Sequence, residues 1–541
     1  MPQPTPQPIP KLMPHAPSAG VHPVMAIGSA ALVAAFVLFT LISPQVADAA
    51  YSAARDYIAT ELSWYYIALM NLYLVIALFL VLSKYGKIRL GADSERPEFG
   101  YFAWFSMLFG ASVGIGILFW SIAEPIYYFQ SNPFVAADQA MTAEAAQVAM
   151  RITLFHWGLH GWALYAIMGM CFAYFSYRKG MPLSIRSALY PVFGERIYGP
   201  IGYIADLLAV LGTVFGIATS LGLGAQQMNA GINYLLGIEI SIGTQIILIA
   251  GISIIATISV LTGVDRGIRL LSEFNMRLTV VILALFLVFG PTLYLIYSFG
   301  GNLVDYLANF ATLGIWLAPE QHTQWQSDWT IFYWGWWIAW SPFTGLFIAR
   351  ISRGRTIREF LLGVLGAPVI LTILWITLFG NTAMHIELFG DGGVTAAVNA
   401  DRTTALFKTI EIMDLGKWLT GLMASICTLM LVTYFVTSAD SATLVVCTLI
   451  AMGDNNPPAR LRIFWGTLMG AVAGVLLFAG GLEALQTASI VAALPFSIVL
   501  LLATYGLGKS LYAEGKTLSI PTSLTATIQD NESAQVQVQE K

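Results

Sequence analysis

The sequence predicts an all-α integral membrane protein of twelve membrane-spanning helices, and three observations carry that expectation. Hydrophobic residues make up 57% of the 541 and charged ones only 10%, with a mean hydropathy of +0.72, a balance that soluble domains do not reach. Apolar stretches of the roughly 20 residues that a bilayer core demands recur at 24–43, 64–83, 101–121, 150–176, 199–233, 241–263, 274–298, 328–350, 359–379, 418–449, 461–480 and 484–507. Finally, 21 of the 26 Lys and Arg residues fall on one side of the alternation these stretches define, leaving Arg55, Arg151, Arg402, Lys408 and Lys417 opposite. By the positive-inside rule both termini then lie in the cytoplasm and the number of spans is even.

In chain order, residues 1–20 read as a disordered, Pro-rich arm, and residues 21–100 hold two spans without buried charge that look peripheral. No cleavable signal is expected, because the first apolar run is long enough to span. The third span carries GASVGIGILFWSIAEP, residues 110–125, with Gly110, Gly114 and Gly116 beside Ser112. Glycines there either admit a neighbouring helix or let the helix unwind and turn its backbone toward something bound. Glu124 and Pro125 are expected as a turn at the membrane boundary, and 131–148 as a short helix on the external surface.

The fourth span carries FHWGLHGWALY, residues 155–165, whose Trp157, Trp162 and Tyr165 cover an arc of about 140° on a helical wheel. Its His156 and His160 have the i, i+4 spacing of a metal pair. His15, His22, His322 and His385 fall in the arm and loops, so no further intramembrane ligand is in view and hydrogen-bonded structural histidines are the expectation. An intramembrane metalloenzyme is the distant alternative. The fifth span, GTVFGIATSLGLG, adds Thr213, Thr219 and Ser220; residues 265–276 are expected as a charged cytoplasmic hinge and 306–329 as an external excursion.

The eighth span contains YWGWWIAWSPF, residues 333–343, with four tryptophans in seven residues. Tyr333, Trp336, Trp337 and Trp340 are three, four and seven apart and share one helix face. Such a wall of π-faces suits a quaternary ammonium, which has diffuse charge and no donors to satisfy. Core packing and interfacial anchoring remain open for the same residues. The tenth span ends in YFVTSADSAT, residues 434–443, where Asp440 is an intramembrane acid and Thr437 and Ser438 are adjacent hydroxyls, free either to bind or to bond back to their own helix. Cys171, Cys427 and Cys447 all lie in expected helices and suggest neither disulfide nor metal cluster. Residues 511–541 form a short polar tail. The net charge of −4 specifies no partner beyond the lipid bilayer, and nucleic acid is not expected as one.

The segments GASVGIGILFW (110–120), HWGLHGWALYA (156–166), ATSLGLGA (218–225), WWIAWSPFTGLFIARISRGRTIREF (336–360) and VTSADSA (436–442) together resemble the betaine/choline/carnitine transporter (BCCT) family in order and spacing. The resemblance implies a LeuT-like fold of two inverted five-helix repeats, residues 101–300 (helices 3–7) and 328–510 (helices 8–12), joined by an external segment 301–327 and commonly assembled as homotrimers. It implies a substrate box of Trp157, Trp162, Tyr165, Trp337 and Trp340 with Trp336 nearby, facing Gly114 and Gly116. It also implies a sodium ion held by Gly110, Val113, Tyr434, Thr437 and Ser438, hard oxygen ligands being what such a cation wants. Thr213 matches one threonine of a second sodium site, but Ile217 stands where the other belongs. Val113 stands where sodium-coupled betaine carriers usually have Met. Gly116 stands where proton-linked choline carriers place an Asp, so the box lacks the carboxylate a bare cation prefers. The implied function is secondary import of glycine betaine or a zwitterionic analogue such as dimethylsulfoniopropionate by sodium symport across the cell (inner) membrane. Choline, carnitine or small methylamines, moved by proton coupling or exchange, are the alternative.

Overall fold

The computed structural model describes residues 21–517 apart from 113 and 263, so the expected arm, most of the tail and Val113 lie outside the described residues. Among the described residues the chain is helical and forms no strand; its one β-contact is an isolated antiparallel bridge between Arg89 and Thr356. This is the form an apolar chain takes when the bilayer offers its backbone no hydrogen bonds, since helices satisfy N–H and C=O within the segment.

Helices α1 (Pro23–Ile42) and α3 (Ser63–Leu82) answer to the first two expected spans. Between them lies a helix that hydropathy passes over, α2 (Pro44–Glu61). It is amphipathic, burying Ala47, Ile58 and Ala59 while exposing Asp48 and Asp56, and Arg55 Nη1 ties it to Glu483 Oε1 at 3.2 Å.

The third expected span is two helices, α4 (Tyr101–Ser112) and α5 (Gly114–Gln130), bent by 62° from each other. The turn expected at Glu124–Pro125 is absent: both residues are buried inside α5. The separate surface helix expected over 131–148 is also absent. Only a 3₁₀ turn forms at Ala137–Gln139, and α6 (Ala143–Trp157) begins where Thr142 Oγ1 accepts the Ala145 N–H at 3.3 Å, a side-chain N-cap. A break at Gly158 separates α6 from α7 (Leu159–Ala173).

Helix α8 (Pro200–Leu236) is long and largely buried, packed by α5 and by the later helices over 242–262, 332–351, 417–450 and 459–517. α9 (Ile242–Thr262) is followed by α10 (Val264–Phe289), so the expected hinge over 265–276 is helical instead. The expected span 274–298 stops at Phe289, because Pro291 has no N–H to continue the ladder, and α11 (Thr292–Gly314) starts beyond it. α12 (Phe332–Ile351) carries the tryptophan-rich stretch, and α13 (Ile357–Phe389) encloses His385, which was expected in a loop. α14 (Lys417–Ile450) precedes α15 (Ala459–Thr517), which is two helices about a kink at Gly480 and Gly481; Gly481 has φ +60°, open to a residue without Cβ.

Among the described residues nine helices are long and apolar enough to cross a bilayer, or ten with the bent α4–α5 pair counted as one span. The expected twelve is not reached by length and hydropathy alone. The segments at 150–176 and 328–350 are helical, but the first is interrupted at Gly158 and the second is aromatic rather than aliphatic.

Candidate functional site

One helix break and one proline inside a helix position the aromatic residues. At Gly158 a side chain would run into the Tyr306 hydroxyl and the Leu154 carbonyl, and the Leu159 N–H, left without an intrahelical acceptor, donates to Tyr306 Oη at 2.8 Å. The break turns Trp157, the last residue of α6, relative to Trp162 and Tyr165 on α7. In α12 Pro342 deprives the Ile338 carbonyl of its partner, and Ser341 Oγ donates to that oxygen at 2.8 Å, which lets a proline sit two residues beyond Trp340.

The rings so placed meet. Trp157 stands edge-to-face with Trp337, centroids 5.1 Å apart at 84°, and with Trp336 at 6.1 Å and 88°. Tyr165 stands against Trp337 at 5.7 Å and 88°, and Trp162 joins through Tyr165 at 5.9 Å and 88°. Trp336 stacks on Trp337 at 5.3 Å and 8°, and Trp340 lies 6.3 Å from Trp336. All six are at most 3% exposed. The perpendicular arrangement is that of quadrupoles in contact, so admitting a trimethylated head requires the rings to part. The cluster brings together the six aromatic residues of the implied substrate box, from three helices.

Glycines give the rings their room. A Cβ on Gly116 would meet Trp336 at 2.8 Å and Trp157 at 2.9 Å, and one on Gly216 would meet Trp340 at 2.6 Å. Gly161 lies beneath Trp337, and Gly114 abuts the Tyr434 ring. Gly114 therefore faces α14, whereas Gly116 faces the aromatic cluster.

Sequence reasoning missed the carboxylate behind the cluster. Glu124 is wholly buried; its Oε2 accepts from Trp157 Nε1 at 2.7 Å and from the Tyr333 hydroxyl, and its Oε1 lies 3.0 Å from His156 Nδ1. His156 Nε2 lies 3.1 Å from Thr330 Oγ1, and its carbonyl accepts from Trp337 Nε1 at 3.0 Å. His160 turns elsewhere, its Nε2 lying 3.3 Å from Asn71 Oδ1. The i, i+4 histidines thus have separate partners, and the described residues contain no group of three or more metal-capable side chains. An acidic residue flanked by proline near the end of an apolar run is the usual sign of a boundary, which is why the sequence reading placed it there.

Of the residues selected for sodium, Gly110, Tyr434 and Thr437 line a polar seam. Gly110 faces Ser272; Thr437 Oγ1 donates to the Thr433 carbonyl at 2.8 Å and accepts from Asn275 Nδ2 at 3.2 Å; the Tyr434 hydroxyl lies 2.7 Å from Thr279 Oγ1. Ser272, Asn275 and Thr279 are three and seven residues apart on α10, one face turned toward α4 and α14. They too were missed, although that spacing is legible. Asn275 Oδ1 and Ser272 Oγ are buried without a hydrogen-bond partner among the described residues, so the seam offers spare oxygens of the hard kind a sodium ion prefers. Ser438 is buried beside them. Thr213 donates to its own helix at Ala209 O, 2.8 Å, and Ile217 is buried near it on α8. Asp440, one turn beyond Val436, accepts from Ser259 Oγ at 2.6 Å.

Residues 23–516 match the family described as BCCT, betaine/carnitine/choline family transporter. A probable glycine betaine transporter of Desulfitobacterium hafniense is 42% identical over 489 residues, covering 90% of this chain and 97% of the relative. The glycine betaine transporter OpuD of Bacillus subtilis is 43% identical over 491 residues, 90% of this chain and 94% of its own. An osmo-dependent choline transporter of Acinetobacter baylyi is 40% identical over 490 residues, 90% of this chain and 71% of its own.

Proposed function

The chain belongs to the betaine/carnitine/choline transporter family, and from that premise we propose that it imports glycine betaine, or a close zwitterionic analogue such as dimethylsulfoniopropionate, by sodium symport with alternating access. As a member it is a multi-pass membrane transporter rather than an enzyme. The observation that carries the substrate reading is the mutual contact of Trp157, Tyr165, Trp336 and Trp337 across a helix break. Each desolvated cation–π contact contributes about 1–2 kcal/mol, so three or four supply several of the roughly 8 kcal/mol that micromolar binding needs. Shape fit and exclusion of water on closure supply the remainder.

Sodium coupling is supported by the oxygen-rich seam at Gly110, Tyr434, Thr437 and Ser438, to which Asn275 and Ser272 add unpartnered oxygens. One inward charge is worth about 2.3 kcal/mol per 100 mV and a tenfold ion gradient about 1.4. The reading includes two inverted repeats over residues 101–300 and 328–510, whose first helices are the broken α4–α5 pair and the proline-containing α12, and a homotrimer with both termini cytoplasmic in the cell inner membrane. The test is uptake of radiolabelled glycine betaine into proteoliposomes under an imposed sodium gradient. Uptake indifferent to sodium refutes the coupling, and no uptake refutes the substrate.

A second reading is choline or a similar monocation, by proton coupling or exchange. One observation favours it: Glu124 puts a carboxylate directly behind Trp157. A pH jump without sodium separates the two couplings.

A further inference from the structure

We infer that Glu124 sets the charge preference of the aromatic cage: its carboxylate, one ring behind the cage wall, supplies the negative potential that a monocationic onium needs and that Gly116 withholds. The inference rests on the cage reading above.

The Trp157 indole bridges Gly116 and Glu124. Its six-membered ring is the edge a Cβ on Gly116 would strike, and its N–H edge is bonded to Glu124 Oε2 at 2.7 Å. Tyr333, whose ring stands 5.6 Å from Trp157 and 6.2 Å from Trp337, donates its hydroxyl to the same oxygen. An indole N–H can only donate, and the remaining oxygen faces His156 Nδ1 at 3.0 Å. These partners suit an anion. The titratable groups around Glu124 are His156, Tyr333 and Tyr128, the last with its hydroxyl 3.1 Å from His156 Nδ1, and among the described residues Glu124 pairs with no Lys or Arg. Its charge is therefore spread over donors whose rings border the cage, and an N–H or O–H held by a carboxylate leaves its ring richer in π-density for a cation to meet.

A unit charge about 10 Å away, at an effective dielectric constant near 20, changes a monocation's affinity by more than about tenfold. A zwitterion whose two charges are one methylene apart feels most of that effect cancel. Glu124 thus distinguishes substrate charge, which a role confined to holding α5, α6 and α12 together does not do.

The experiment displaces radiolabelled glycine betaine from purified protein with choline and with tetramethylammonium, comparing the wild type with Glu124→Gln and Tyr333→Phe. In Glu124→Gln the inhibition constants of both monocations rise about tenfold further than the betaine Kd changes. Tyr333→Phe strips one donor from the carboxylate while keeping the ring, and moves the ratio the opposite way. Equal shifts for all three ligands in Glu124→Gln, or a wild type that holds betaine yet ignores both monocations, overturn the inference and leave the cage standing. A wild type that binds none of the three overturns the cage itself. Should Glu124→Gln not fold, Tyr333→Phe decides: a ratio unmoved, or moved toward betaine, sinks the idea.

Discussion

Replacing Trp337 by Leu is the most direct test of the cage. Trp337 is 3% exposed, touches Trp157, Tyr165 and Trp336 within 5.7 Å, and donates its N–H to the His156 carbonyl. Losing one desolvated cation–π partner costs about 2 kcal/mol, or about thirtyfold in Kd. Because Trp337 also buttresses the neighbouring walls, the expected outcome is loss of at least that factor, up to no measurable binding by tryptophan fluorescence titration with glycine betaine. The substitution also leaves a cavity and an unpaired carbonyl, destabilising by about 2–5 kcal/mol. A matched control is therefore required: Trp375→Leu on α13, a wholly buried tryptophan stacked 5.0 Å from Phe379 and outside the cluster. It should lower the melting temperature comparably with little change in affinity. Unchanged binding in Trp337→Leu, or an equal loss in Trp375→Leu, refutes the reasoning.

Other outcomes follow from the same geometry. Gly116→Ala drives a methyl into Trp336 and Trp157 and should cost about 1–3 kcal/mol by overpacking, seen as a lower melting temperature together with weaker betaine binding; a variant that binds normally removes Gly116 from the cage. Thr437→Ala takes away a hydroxyl of the polar seam and should raise the sodium concentration for half-maximal uptake about tenfold with betaine affinity at saturating sodium retained, whereas an unchanged sodium dependence moves the ion elsewhere. Asp206→Asn breaks the fully buried pair with Arg186, whose Nε lies 2.5 Å from Asp206 Oδ2; leaving that guanidinium uncompensated should cost about 3–5 kcal/mol, read as a large fall in thermal stability.

Trp336, Trp337 and Trp340 announced themselves through helical spacing, and Trp157, Trp162 and Tyr165 through their density in an apolar run. Glu124 was not legible, since an acid beside a proline looks like a membrane boundary until the structure surrounds it with an indole, a phenol and an imidazole. α2 escaped because its periodicity is helical but its composition is not that of a span, and α11 because the boundary at Pro291 lies inside what hydropathy takes for one apolar run.

Hydropathy alone determined that the protein is helical and membrane-spanning, and the resemblance of its local motifs marked the betaine/carnitine/choline family, because both are properties of contiguous residues. Tertiary structure decided what those motifs face. Residues 33 positions apart, Glu124 and Trp157, share a hydrogen bond only because α5 and α6 pack side by side. Asn275 meets Thr437 and Thr279 meets Tyr434 only because α10 lies against α14. Periodicity tells which residues share a face; what that face meets depends on packing between helices far apart in the chain, and a lone carboxylate acquires its role from partners the linear order does not place beside it.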